Sequence, residues 1–325
     1  MTIPEETPDR SRRRDPSSPD KIPVMAQRTY SFIRLGVVAV IVVLAVSLAK
    51  QYAAADCLQG SISAYYYLPV RSVFVGALVA LGFALIALWG KTPYEDGFLN
   101  LAGMLAPVVA FVPTGEARKC GLTDADGEPV RTQDEKEAVI AASHDAVANN
   151  MFAYLLVIGI VLAVVLVVGI FAHRRQRDWL VEQPWAFWLP WAGAVVLWVS
   201  GTLLFSRHDV WFYDNAHKWS AVFLFVFILC AIVAIGVDKW QGNGSTHDIP
   251  SRRWAVAYWI LAGVMVVGAV AIFLGVEHGH RIFWVEAWMI GWLAVFWTLQ
   301  TWDRWGEGAP RTKAEVAAQD GAPAL

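Results

Sequence analysis

Along this chain, long apolar stretches alternate with short polar ones, and no alternation of the period-two kind marks a strand. Helix spanning hydrocarbon needs roughly 20 apolar residues. Runs that meet or approach this length lie at 32–49, 68–90, 97–113, 151–172, 185–206, 217–237, 254–275 and 282–302. The pattern predicts an all-α fold, a polytopic transmembrane bundle of about eight spans. The third run is the shortest and carries Pro107 and Pro113, which a bundle tolerates because neighbouring groups satisfy the freed carbonyls.

The polar segments set a direction. With the N-terminus inside, the inner connections hold Lys91, then Arg174, Arg175 and Arg177, then Lys239, Arg252 and Arg253, then Arg304, Arg311 and Lys313. The positive-inside rule therefore predicts that both termini are cytoplasmic. Residues 1–30 are polar, Pro-rich and basic, with Arg12, Arg13 and Arg14 in a row, and read as a disordered tail. Residues 306–325 read as a second such tail. A rival reading makes the first run a signal peptide cleaved near Ala53, Ala54 and Ala55.

Composition agrees with a membrane solvent: 57% hydrophobic and 17% charged residues, with mean hydropathy +0.45. Many of the 17 tryptophans, such as Trp89, Trp188, Trp219, Trp240, Trp254, Trp284 and Trp302, stand near run ends, where indole rings form interfacial belts. Charges sit between the apolar runs, so membrane lipids are the implied partners and nucleic acid is not. Protein partners stay unknown from the sequence. The expected location is a plasma membrane, of the bacterial inner-membrane kind.

Candidate chemistry is sparse. Cys57 and Cys120 fall in the first and second outer connections and Cys230 inside a span, which predicts a Cys57–Cys120 disulfide in an oxidising space. Within the bilayer Glu286 stands out, roughly 7–8 Å along the last span at about 1.5 Å per residue. A carboxylate at that depth faces the bundle interior and needs a partner. His217, Arg71, Ser61 and Ser63 are the candidates, and with Asp214, His278 and His280 they outline an outer polar pocket. The segment SISAYYYLPVR reads as an interfacial anchor with Pro69 in the first helical turn. Gly76 with Ala80, and Gly159 with Ala163, offer close helix contact, and Asn149 is a candidate N-cap for the fourth span.

The stretches SISAYYYLPVRSVFVGALVALGFAL, LNLAGMLAPVVAFVPT and DNAHKWSAVFLF resemble an uncharacterised bacterial family of polytopic membrane proteins, which implies the fold but no activity. A serine motif before the second span and a histidine opening a later one are more distantly similar to Frag1/DRAM-type proteins and to ceramidase-like hydrolases. The latter resemblance implies a zinc-dependent amidase. Here, however, Tyr65 and Tyr67 follow Ser61 and Ser63 at the spacing where those enzymes place histidine, and the last span has Glu286 and no HxxxH pair.

Three functional classes stay open. The leading one is a non-enzymatic or receptor-like protein with an outer pocket for lipid or a small molecule. The second is a metal-dependent lipid hydrolase, with zinc held by His217, His278 or His280. The third is a transporter, for which Pro107 is the sole sign of a broken helix.

Overall fold

The computed structural model describes residues 21–115, 117–124, 126–174, 184–242 and 251–304. Among these the chain is helical, with one isolated bridge between Thr123 and Pro129 and no strand. The long helices are α1 (Lys21–Ala55), α2 (Arg71–Ala87), α3 (Pro93–Phe111), α5 (His144–Arg174), α6 (Pro184–Arg207), α7 (Asp209–Gln241), α8 (Arg252–Gly275) and α9 (Arg281–Asp303). A short α4 (Gln133–Ala141) lies in the long loop, and a 3-10 turn, Ser63–Tyr67, precedes α2.

Among the described residues, six helices are long and apolar enough to cross a membrane: α1, α5, α6, α7, α8 and α9. α2 is apolar but only 17 residues long. α3 carries Glu95 and Asp96 in its first turn and Pro107 in its body. Large apolar side chains such as Phe83, Ile160, Phe171 and Leu274 are exposed on the outward faces. A water-soluble surface rarely carries so many, and the long apolar helices are compatible with an integral membrane protein.

Element boundaries follow local chemistry. Thr92 caps α3 by accepting from the Glu95 N–H at 3.2 Å, with Pro93 in the first turn where its missing N–H costs nothing. In the loop, Thr132 and Glu135 exchange hydrogen bonds as a capping box that starts α4. Gly242 ends α7 in the left-handed conformation, φ 59°.

Each of α1, α2, α3, α7, α8 and α9 packs on the next, and α9 returns to α1, closing a ring. Leu85, Leu99, Ala106, Ile228, Ile232, Met265, Leu293 and Phe296 fill its middle. The α5–α6 hairpin stands outside the ring against α3, with α6 also touching α7. Glycines let these helices approach. A Cβ on Gly82 would lie 2.8 Å from the Gly103 carbonyl, the group that Pro107 deprives of its helical donor. A Cβ on Gly159 would lie 2.7 Å from the Trp198 ring, and Gly236 and Gly268 are covered in the same way by Trp259 and Trp288.

Several expectations need correction. α1 is already helical from Lys21, inside the segment read as a tail. Residues 1–20, Arg175 and Arg177, and the C-terminal tail lie outside the described residues. Pro69 precedes α2 rather than sitting in its first turn, since the helix begins at Arg71. The SISAYYYLPVR segment is not an interfacial anchor: Ser61, Ser63, Tyr65 and Tyr66 are each 1–2% exposed. Its rings instead build a small core with Leu44, Phe74, Leu122 and Val130. Asn149 lies within α5, which starts at His144, so it caps nothing. Gly159 does mark a close helix contact, whereas Gly76 faces open space.

Candidate functional site

At one end of the ring, residues 57–70 and the loop after α3 fold over the helix ends. Cys57 and Cys120 lie at disulfide distance, with Cα atoms 6.1 Å apart, inside the range such a bridge spans. Between them works a residue that the sequence reading passed over. Gln59, fully buried, donates from Nε2 to the Cys120 carbonyl at 2.7 Å and accepts from the Arg118 N–H at 2.7 Å. Arg118 also meets His280 at the start of α9. The Phe283 N–H, one of the helix-start donors without a partner in α9 itself, reaches the Gly60 carbonyl at 2.9 Å. Tyr67 donates to the Thr114 carbonyl at 3.2 Å, and burial pushes its phenol up to about 12, so it remains a donor at neutral pH.

Under this cap Glu286 finds its partners. Its carboxylate accepts from the Ile62 N–H at 2.6 Å and from the Ser61 hydroxyl at 2.9 and 3.1 Å. Ser61 Oγ lies 2.7 Å from Ser63 Oγ and accepts from the Ser63 N–H at 3.1 Å. Because the single Ser61 proton goes to Glu286, the Ser63 hydroxyl is the donor between the two serines. A directed chain results, Ser63 to Ser61 to Glu286.

His217 arrives from α7. That helix starts at Asp209, so His217 sits eight residues in, about 12 Å along the axis at ~1.5 Å per residue. Its Nδ1 lies 2.7 Å from the Val112 carbonyl and 3.1 Å from that of Val109. The local sequence explains this: four residues after Val109 stands Pro113, which has no N–H to close the helical bond. With two carbonyls facing Nδ1, that nitrogen carries the proton, and Nε2 in the neutral ring is an acceptor. Nε2 is buried and has no hydrogen-bond partner among the described residues.

Both residues line one cavity of about 60 Å³ inside the ring, bounded by α1, α2, α3, α7, α9 and the 3-10 turn. Its remaining wall is apolar apart from Ser63, with Leu44, Phe74, Leu78, Leu81, Leu224 and Leu293 prominent. Glu286, His217, Ser61 and Ser63 are therefore gathered at or beside one cavity. The other candidates lie apart from it. Arg71 donates to the Tyr66 hydroxyl at 2.5 Å and stacks on that ring. Asp214 and His278 are exposed, and His280 is engaged with Arg118. Among the described residues no three His, Cys, Asp or Glu side chains converge as metal ligands, so zinc has no donor set there.

The opposite end of the ring holds a second polar cluster. Arg304 clasps Glu95 with Nη1–Oε1 2.7 Å and Nη2–Oε2 2.9 Å, both side chains buried, and Gln300 adds a bond to Glu95 at 3.3 Å. Beside it Asp303 accepts from Lys239 and from the Tyr258 hydroxyl, each at 3.0 Å. Nothing in the sequence singled out Glu95, because a charge at a run boundary looks like a solvated helix end. Compared with protein-family models, curated proteins and solved structures, the chain matches none of them.

Proposed function

We propose that this chain is an integral plasma-membrane protein that binds a lipid or other small amphiphile in the cavity at the Glu286 end. In this reading all eight long helices cross the bilayer, α2 and α3 as a short pair inside the ring. Both termini are cytoplasmic and the cavity lies toward the extracytoplasmic side. The basic inner connections and the position of the cysteine pair support that direction.

The observation that carries the reading is the buried Nε2 of His217, which has no hydrogen-bond partner among the described residues, on a side chain that lines the same cavity as Glu286. Buried acceptors are nearly always satisfied by protein, water or ligand. Apolar walls with a few converging polar groups are the usual makeup of a small-molecule site. Among the described residues the hydrolase reading gains no metal donor set, and for the transporter reading Pro107 in α3 and Pro190 in α6 each lie within a helix that continues past them.

The test is mass spectrometry of amphiphiles that survive purification with the full chain, compared with Leu224→Trp, which fills the cavity from an apolar wall. Enrichment with the native chain and loss with the variant is the expected result. Equal lipid content in both proteins would overturn the proposal.

A further inference from the structure

We infer that the occupant of this cavity is a single-chain amphiphile whose polar end donates hydrogen bonds, as an alcohol or an ammonium does and a carboxylate does not. The inference rests on the binding reading above and names the ligand class.

The chemistry of the wall decides the head. His217 is committed as a donor at Nδ1 by two carbonyls, so its Nε2 presents a lone pair. Glu286 accepts from Ile62 N–H and from the Ser61 hydroxyl, which places its carboxylate, an acceptor, at the same wall. Ser63 spends its hydroxyl proton on Ser61. His217 thus offers an acceptor, Ser63 has no proton left for an anionic head, and Glu286 accepts at both of its oxygens. A carboxylate or phosphate placed there would set its lone pairs against that of His217 Nε2, whereas a hydroxyl or ammonium would donate to it.

The dimensions decide the tail. At roughly 10–15 Å³ per water-sized group, the 60 Å³ cavity holds about four to six such groups. That is the first few carbons of one alkyl chain, not a fused ring or two chains. Leu78, Leu81, Ala221, Leu224, Ile290 and Leu293 would flank it.

The experiment uses the full chain in phosphatidylcholine nanodiscs and three photoreactive probes of equal length, each with a diazirine near the head: a fatty alcohol, a fatty amine and a fatty acid. Labelled peptides are mapped by mass spectrometry. The alcohol and the amine should label the Leu78–Leu81 and Ala221–Leu224 segments, and the acid should label them roughly tenfold less, the discrimination expected when one hydrogen bond is replaced by an unpaired polar group. If only one of the two donors labels, the source is that class and the inference stands. His217→Leu should reduce donor labelling by a similar factor, and Leu224→Trp, which leaves both polar groups in place, should abolish it. Equal labelling by all three probes would overturn the inference while leaving the binding reading intact. No cavity labelling by any probe would overturn both.

Discussion

Glu95 and Arg304, 209 positions apart in sequence, close on each other in a two-pronged ion pair with both side chains buried. Such geometry recovers much of the desolvation cost of two charges, but only while both partners are present.

Removing one partner should therefore be far worse than removing both. Glu95→Leu or Arg304→Met alone is expected to destabilise the bundle by about 3–5 kcal/mol, and the double substitution should recover a large part of that. Thermal unfolding of the detergent-solubilised chain reads the difference. A loss in the double variant equal to the sum of the two single losses would show that the pair contributes no coupling.

Glu286 offers a graded case. Glu286→Gln keeps a carbonyl acceptor for the Ile62 N–H and should cost little, whereas Glu286→Ala leaves that N–H and the Ser61 hydroxyl unsatisfied, at about 1–3 kcal/mol. Hydrogen exchange at Ile62 is the site-specific readout. Exchange there that is unchanged in the alanine variant would contradict the hydrogen bond.

The Cys57–Cys120 bridge joins residues 63 positions apart. Cys57→Ser should destabilise the cap by about 2–4 kcal/mol and slow the chain on a non-reducing gel relative to the bridged form. Identical migration of the native chain before and after reduction would argue against the bond.

Glycines at helix contacts predict opposite outcomes for one substitution. Gly159→Ala puts a methyl 2.7 Å from the Trp198 ring and should cost about 1–3 kcal/mol by overpacking. Gly76→Ala meets nothing within 4 Å and should be neutral or stabilising by up to about 1 kcal/mol through helix propensity. Thermal unfolding of the two variants side by side checks the contrast.

In the loop, hydrogen bonds from the Arg131 and Thr132 N–H groups hold the Glu135 carboxyl below its usual range. Its folded value lies below the unfolded one, so the unfolded loop binds more protons. The contribution is complete above the ordinary glutamate range, diminishes as pH falls from that range through the lower folded value, and is gone below both. Protection of the Gln133–Ala141 amides, taken relative to the intrinsic exchange rate at each pH, should fall on acidification below that range in the native chain, and much less in Glu135→Gln.

How legible this molecule is depends on the kind of signal. Apolar runs of about 20 residues admit few alternatives, and each of the eight coincides with a long helix, although among the described residues only six are individually long and apolar enough to cross a membrane. Glu286 was legible because a lone carboxylate inside an apolar run must find a donor, and Ser61 was among the candidates. Gln59 was not, since a polar residue in a loop gives no sign that its amide will be buried. Tyr65 and Tyr66 misled for a related reason: tyrosine suits an interface and a core equally well. His217 was recognised, but its task at Val109 depends on Pro113, just past the end of α3, a relation that no local pattern displays.

α9 carries a polar anchor at each extremity, Glu286 under the cap and Asp303 beside Lys239, 17 residues or roughly 25 Å apart at ~1.5 Å per residue. A rod pinned at both tips neither slides nor rotates without first releasing one pin. Rearrangement that spares these bonds thus falls to the α5–α6 hairpin, which leans on the ring from outside and is free of both fastenings.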